Sequence, residues 1–182
     1  MRHLIYITLC LFGLATTAQS TILINNVVIF NGKDEKTITG NVLVVNNLIQ
    51  KISTSPIPTN KSGNTVIIDG KGKFLMPGLI DAHWHAILTA STMNELMYAE
   101  PGYVFIKAGD EAANTLMRGF TSVRDLGGPS FGLKKAIDDG VIDGPRIWPS
   151  GSIISQTSGH GDFRSVNERP VSLGGCLHHS EE

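Results

Sequence analysis

The stretch PGLIDAHWHA, residues 77–86, decides how this chain is read. An apolar run leads into an aspartate, and two histidines then flank a single tryptophan. In an extended strand, residues i and i+2 point to the same side, so His83 and His85 present two imidazoles together while Trp84 faces away. Asp81 falls on the histidine side. Two neutral imidazoles side by side make a poor hydrogen-bonded pair but a good half of a divalent-metal site. For an arbitrary H-x-H the commoner reading is two separately satisfied histidines, so the surrounding sequence has to decide.

Working outward, residues 74–82 read as one continuous apolar strand of the kind covered on both faces. Upstream, residues 21–55 consist of short β-branched runs separated by Asn-Asn, Asn-Gly-Lys-Asp and Thr-Gly turns, which predicts strands. Within them, residues 41–52 alternate well enough to be half buried. Residues 53–64 form a loop bearing Pro, Ser and Gly, and residues 66–69 a further strand. Downstream of His85 the period changes. Residues 102–118 carry apolar positions at helical spacing and stop at Gly119. FTSVRDLGG reads as a short strand and turn, residues 130–139 as a second helix, and residues 146–154 as the next strand. Helix and strand in alternation, three strands deep, predict a parallel α/β sheet. Residues 155–182 have no period and read as loop.

The whole chain of 182 residues is 41% hydrophobic and 17% charged with a formal net charge of −1, the profile of a globular protein. Its 15 Lys and Arg against 16 acidic residues form no run, so there is no footprint for nucleic acid or an anionic membrane surface. Small neutral or zwitterionic ligands fit better. Residues 1–20, MRHLIYITLCLFGLATTAQS, combine a basic start (Arg2, His3), an apolar stretch and small residues at Ala15, Ala18 and Ser20. This is the pattern of a cleavable signal peptide, and it predicts export to the periplasm or outside the cell. The apolar stretch is well short of the roughly 20 residues needed to span a bilayer, so no stable membrane span is expected. Removing the signal removes Cys10, leaving Cys176 as the sole thiol and no internal disulfide.

PGLIDAHWH closely resembles the first-strand motif of the amidohydrolase superfamily, P-G-x-[IV]-D-x-H-x-H. The likeness extends outward. ILINNVVIFNGKDEKTITGNVLVVNNLIQKI resembles part of the small β-sandwich that flanks these barrels, TSVRDLGG their second strand, and GPRIWPSGSIISQTSGHGD the third strand and loop of imidazolonepropionase-like and Xaa-Pro or Xaa-Arg dipeptidase-like members. The resemblance implies a TIM-type (β/α)8 barrel preceded by part of a β-sandwich: a signal over 1–20, sandwich strands over 21–73 and the first three β/α units over 74–182. It implies that His83 and His85 hold a metal, normally zinc (Zn2+), and that His160 faces the substrate. In such a site the metal activates water and polarises the scissile carbonyl or imine, and a carboxylate shuttles the proton to the leaving nitrogen. Small peptides or cyclic amides are the substrates implied for an exported member.

A (β/α)8 barrel needs about 250 residues, more than the whole chain, so only about three strands are expected. The family's bridging carboxylated lysine, its later histidines and its catalytic aspartate have no counterparts here, and no catalytic residue is assigned. Since catalytic zinc takes three protein ligands and a water, the chain by itself is expected to lack hydrolase activity. An unpaired strand edge predicts aggregation, self-association or a complementing chain. The leading reading is the amino-terminal portion of an exported amidohydrolase, either truncated or half of a split enzyme. The competing one is a non-catalytic binding or interaction module. Among the remaining residues, Asp81 is placed to orient a ligand imidazole from behind. Arg124 and Asp125 read as a salt bridge or a loop-fixing pair, Trp84 as core packing, and His178 and His179 as a solvated tail.

Overall fold

The computed structural model describes residues 20–61, 64–156 and 159–163, and the backbone of 179–180. The expected signal over 1–20 (apart from Ser20), Cys10, Cys176 and His178 lie outside the described residues. The chain divides into two compact units at Pro77/Gly78.

The first unit is a five-stranded sheet in the order β3-β2-β1-β4, with β5 also pairing β1. Its strands are β1 (Thr21–Ile29), β2 (Ile38–Val45), β3 (Leu48–Ser53), β4 (Thr65–Asp69) and β5 (Phe74–Leu75). The half-buried strand expected over residues 41–52 is instead a hairpin. Asn46 at φ 55 makes the turn, β2 pairs β3 antiparallel, and Leu48 and Ile49 on β3 are exposed. Asn tolerates the left-handed conformation better than other non-glycine residues, which is why Asn-Asn can turn the chain here.

The same chemistry recurs inside β1. The register slips between Ile24 and Val27, where Asn26 adopts φ 55. Opposite this bulge, Gly70 and Gly72 donate N–H bonds of 2.7 Å to the carbonyls of Asn25 and Asn26. A Cβ on Gly70 would lie 2.2 Å from Val27, so the approach needs glycine. The chain thus pairs twice with β1 in parallel, as β4 before the turn and as β5 after it. Val27, Ile29 and Val42 form the core of this unit, flanked by Ile24, Val44 and Leu75.

The continuous strand expected over residues 74–82 is therefore corrected to two. β5 belongs to the first sheet, and β6 (Leu79–Trp84) opens the second. Pro77 has no N–H to give a ladder and fixes φ, so an apolar run crossing it does not remain one strand. Nor is β6 covered on both faces among the described residues, since Leu79 and Ile80 are exposed.

The second unit continues with α1 (Met93–Tyr98), α2 (Pro101–Met117), β7 (Phe120–Asp125), α3 (Phe131–Asp138) and β8 (Arg146–Pro149). Strands β6-β7-β8 form a parallel sheet in that order. Helix α2 buries Val104, Ala108, Ala112 and Thr115, a stripe at helical spacing whose two alanines let it lie close to the sheet. The core comprises these with Trp84, Ala86, Ile87, Leu96, Val123, Leu133 and Ile147. The strand expected over residues 146–154 is broken: Gly151 takes φ 86, and β9 (Ile153–Ile154) leaves the sheet to pair in parallel with the backbone of β10 (His179–Ser180). His179 thus lies on a short strand and not on the solvated tail expected for it. No helix among the described residues is long and apolar enough to cross a membrane.

Helix α1 starts on a capping box. Glu95 N–H donates to the Thr92 side chain and the Glu95 carboxylate accepts from Thr92 N–H. The same carboxylate takes Lys107 of α2 at 2.9 Å. The Lys107 ammonium, followed by the Thr92 amide, lowers the Glu95 carboxyl from its ordinary 4.5 to about 2. A carboxyl depressed in the fold adds stability that is whole above its unfolded value and is lost as pH falls through its folded one. Melting temperature is therefore expected to decline between about pH 4.5 and pH 2, and Glu95→Gln to flatten that decline, with a modest effect at neutral pH because the pair is screened by solvent. Thermal melts across that range test this, and an unchanged slope in the variant counts against it.

Candidate metal centre

The site is built at the carboxyl end of β6. Trp84 is inserted into the core, so its two neighbours in sequence must project the other way. Its carbonyl accepts the N–H of Leu126 at 3.0 Å, which ties the end of β6 to the end of β7. Just beyond, the His85 carbonyl accepts both the backbone N–H of Thr89 (3.0 Å) and its hydroxyl (2.8 Å). The backbone on either side of the two histidines is thereby held.

The structure brings His83 and His85 together, with ring centroids 5.2 Å apart and planes at 73°. Two imidazoles binding one tetrahedral cation through nitrogens at about 2.0–2.1 Å have ring centres about 5 Å apart, so the pair fits a shared cation. His83 is exposed and His85 half-buried. The His85 Nδ1 is buried and has no hydrogen-bond partner. A ring with one nitrogen turned inward offers the other, Nε2, outward.

Asp81 bonds the backbone of its own strand. Its Oδ1 accepts the backbone N–H of His83 at 3.0 Å, a bond that fixes the strand at the first histidine. His160 is exposed in the loop after β9. It does not join the pair, because no group of three potential ligands among His, Cys, Asp and Glu forms among the described residues. Arg124 and Asp125 alternate on β7, the first exposed and the second wholly buried, so they face opposite ways and cannot bridge each other.

Asp125 is the residue whose place the sequence reading left vague. It is the in-register partner of Trp84 across the sheet and has no exposed surface. Its Oδ1 accepts the N–H of Gly127 at 3.3 Å, a loop-fixing bond. Burial pushes the Asp125 carboxyl up, opposed by the neighbouring Ser130 hydroxyl, the Gly127 and Ala86 amides and the His85 ring. Ser130 Oγ is near but outside hydrogen-bond geometry, so it and Asp125 Oδ2 both remain without a partner. An aspartate closing a strand and followed by Leu-Gly-Gly is the available signal.

Comparison with known proteins accords with this geometry. The family model described as Amidohydrolase family matches residues 74–180. Ochratoxinase of Aspergillus niger is 38% identical over 92 residues, covering 49% of this chain and 19% of that protein. Imidazolonepropionase of Treponema denticola is 35% identical over 74 residues, covering 40% and 18% respectively. Among solved structures, a prolidase complexed with N-methylphosphonate-L-proline superposes with a TM-score of 0.75 at 28% identity, covering 88% of this chain and 40% of that one. The chain belongs to the amidohydrolase family. It spans about a fifth of the length of these curated relatives and 40% of the superposed structure. Its mixed α/β fold is that of part of a TIM-type barrel together with strands of the flanking sheet domain. Members of the family usually bind a divalent metal.

Proposed function

We propose that this chain supplies the two-histidine half of a metal-dependent hydrolase site that acts on carbon–nitrogen bonds in small peptides or cyclic amides. The observation that carries the reading is the His83/His85 pair, spaced for one cation at the carboxyl end of a parallel strand, where barrels of this type place their chemistry. When bound, a divalent cation such as zinc polarises a carbonyl and makes water nucleophilic near neutral pH. The residues of this chain hold and orient. His83 and His85 offer the ligand nitrogens, Trp84 anchors the segment in the core, and Asp81 fixes the backbone at His83. His160 is assigned to face the substrate. Residues 1–20 are assigned as a cleavable export signal, which N-terminal sequencing of exported protein would refute by finding Met1 intact.

Two protein ligands leave a catalytic zinc one short, and the described residues bring no third. The remaining ligand and the proton-transferring groups are therefore sought outside the described residues, and the isolated 182-residue chain is expected to be inactive. The test is zinc stoichiometry of the chain together with a dipeptide hydrolysis assay. Zinc bound without turnover is the expected result. Zinc-dependent, His83-dependent hydrolysis by the isolated chain would overturn the inactivity, and a chain that takes up no zinc would overturn the metal site.

A further inference from the structure

We propose that Asp125 is a positioning residue for His85, its carboxylate accepting the imidazole Nδ1–H and so leaving Nε2 free for a cation. This rests on the reading of His83 and His85 as metal ligands.

Three observations converge. Asp125 is paired in register with Trp84, the residue before His85, which brings the ends of β6 and β7 together, and the His85 Nδ1 just beyond β6 lies beside Gly127 just beyond β7. His85 Nδ1 and Asp125 Oδ2 are both buried and both lack a partner. Such atoms are costly to leave unpaired, and in its Nδ1–H tautomer the imidazole is the donor that a carboxylate oxygen accepts. Gly127 links them: its N–H binds Asp125 Oδ1, and a Cβ placed on it would come within 3.6 Å of His85 Nδ1. The carboxylate and the ring nitrogen thus flank the same glycine. Ser130 Oγ, also buried and unpartnered, is a neutral donor that can share the same oxygen. Arg124 faces away and is no competitor. A carboxylate behind a ligand imidazole fixes its tautomer and its orientation.

The same geometry dictates what the isosteric variant does. In Asp125→Asn the side-chain oxygen is retained by the Gly127 N–H, because an amide NH2 there would meet a donor. The NH2 then faces His85 and donates to Nδ1, which forces the proton onto Nε2 where a cation would bind.

The experiment is nitrogen-15 NMR of the His85 ring in the metal-free 182-residue chain, at a pH where imidazole is neutral, alongside zinc titration with a competing chelator. Wild type is expected to show the Nδ1–H tautomer and Asp125→Asn the Nε2–H tautomer, with zinc affinity lowered by about 10–100-fold and an unchanged thermal melt without metal. Asp125→Ala is expected to weaken zinc as well, through loss of the acceptor. An Nε2–H tautomer in wild type, or an Asp125→Asn chain with unaltered tautomer and zinc affinity, overturns the proposal. If the tautomers switch as expected but wild type takes up no zinc, the hydrogen bond stands and the metal reading is what fails.

Discussion

Zinc is expected to raise the melting temperature of the wild-type chain, and the paired substitution His83→Ala, His85→Ala to erase that rise. A cation that binds only the folded state stabilises it by about 2.7 kcal/mol when free cation is 100-fold above Kd. For a unit of this size that is a shift on the order of 10 °C. Without metal, the double variant is expected to melt below wild type, because loss of the half-buried His85 ring removes the donor proposed for the buried Asp125 carboxylate, so the effect of zinc is read within each variant as the difference between zinc and chelator. Calorimetry with zinc and with chelator separates the two contributions. A zinc-induced rise that survives in the double variant would place the cation elsewhere in the chain.

Truncating the core has the opposite profile, since it acts regardless of metal. Ile147 sits in the middle of β8, wholly buried and in register with Val123. Ile147→Ala is expected to cost about 2–5 kcal/mol, combining lost transfer free energy with the cavity left behind. That is a large share of the roughly 5–15 kcal/mol total of a typical domain. Trp148, the next residue, faces the other way and is half exposed, with Arg146 6.0 Å from its ring. Trp148→Ala is the control and is expected to cost far less. Urea unfolding of both measures the difference, and equal losses would contradict the alternation of β8.

Where the sequence carried the fold, it did so through period and punctuation. The stripe Val104, Ala108, Ala112, Thr115 makes α2 legible to within a residue or so at each end, and Phe120–Asp125 follows from its β-branched run. The breaks were harder. An apolar run looks the same whether it is one strand or two, and only Pro77 marked the change of sheet between β5 and β6. Helix α1 has only six residues, and Thr92 and Glu95, which spell its capping box, are its local mark in the sequence. At the site, the H-x-H spacing was sufficient to bring His83 and His85 together, because i and i+2 share a face whatever the tertiary fold. The place of Asp125 was not readable in this way: it depends on the parallel register of β6 against β7, a long-range fact that no local spacing encodes. Asp81 shows the converse, in that the correct side of the strand did not determine that its bond would go to the backbone.

The burial of Trp84 between the two histidines has a thermodynamic consequence. A ligand pair on a free loop must surrender backbone conformational entropy when it closes on a cation, and that loss is subtracted from affinity. Here the residue between the ligands is locked into the core and its carbonyl is tied to β7, so the backbone freedom of residues 83–85 is already spent when the chain folds. On the proposed reading of the two histidines as ligands, cation capture then has only side-chain rotamers left to order, and its strength becomes a property of how well the sheet beneath it is packed.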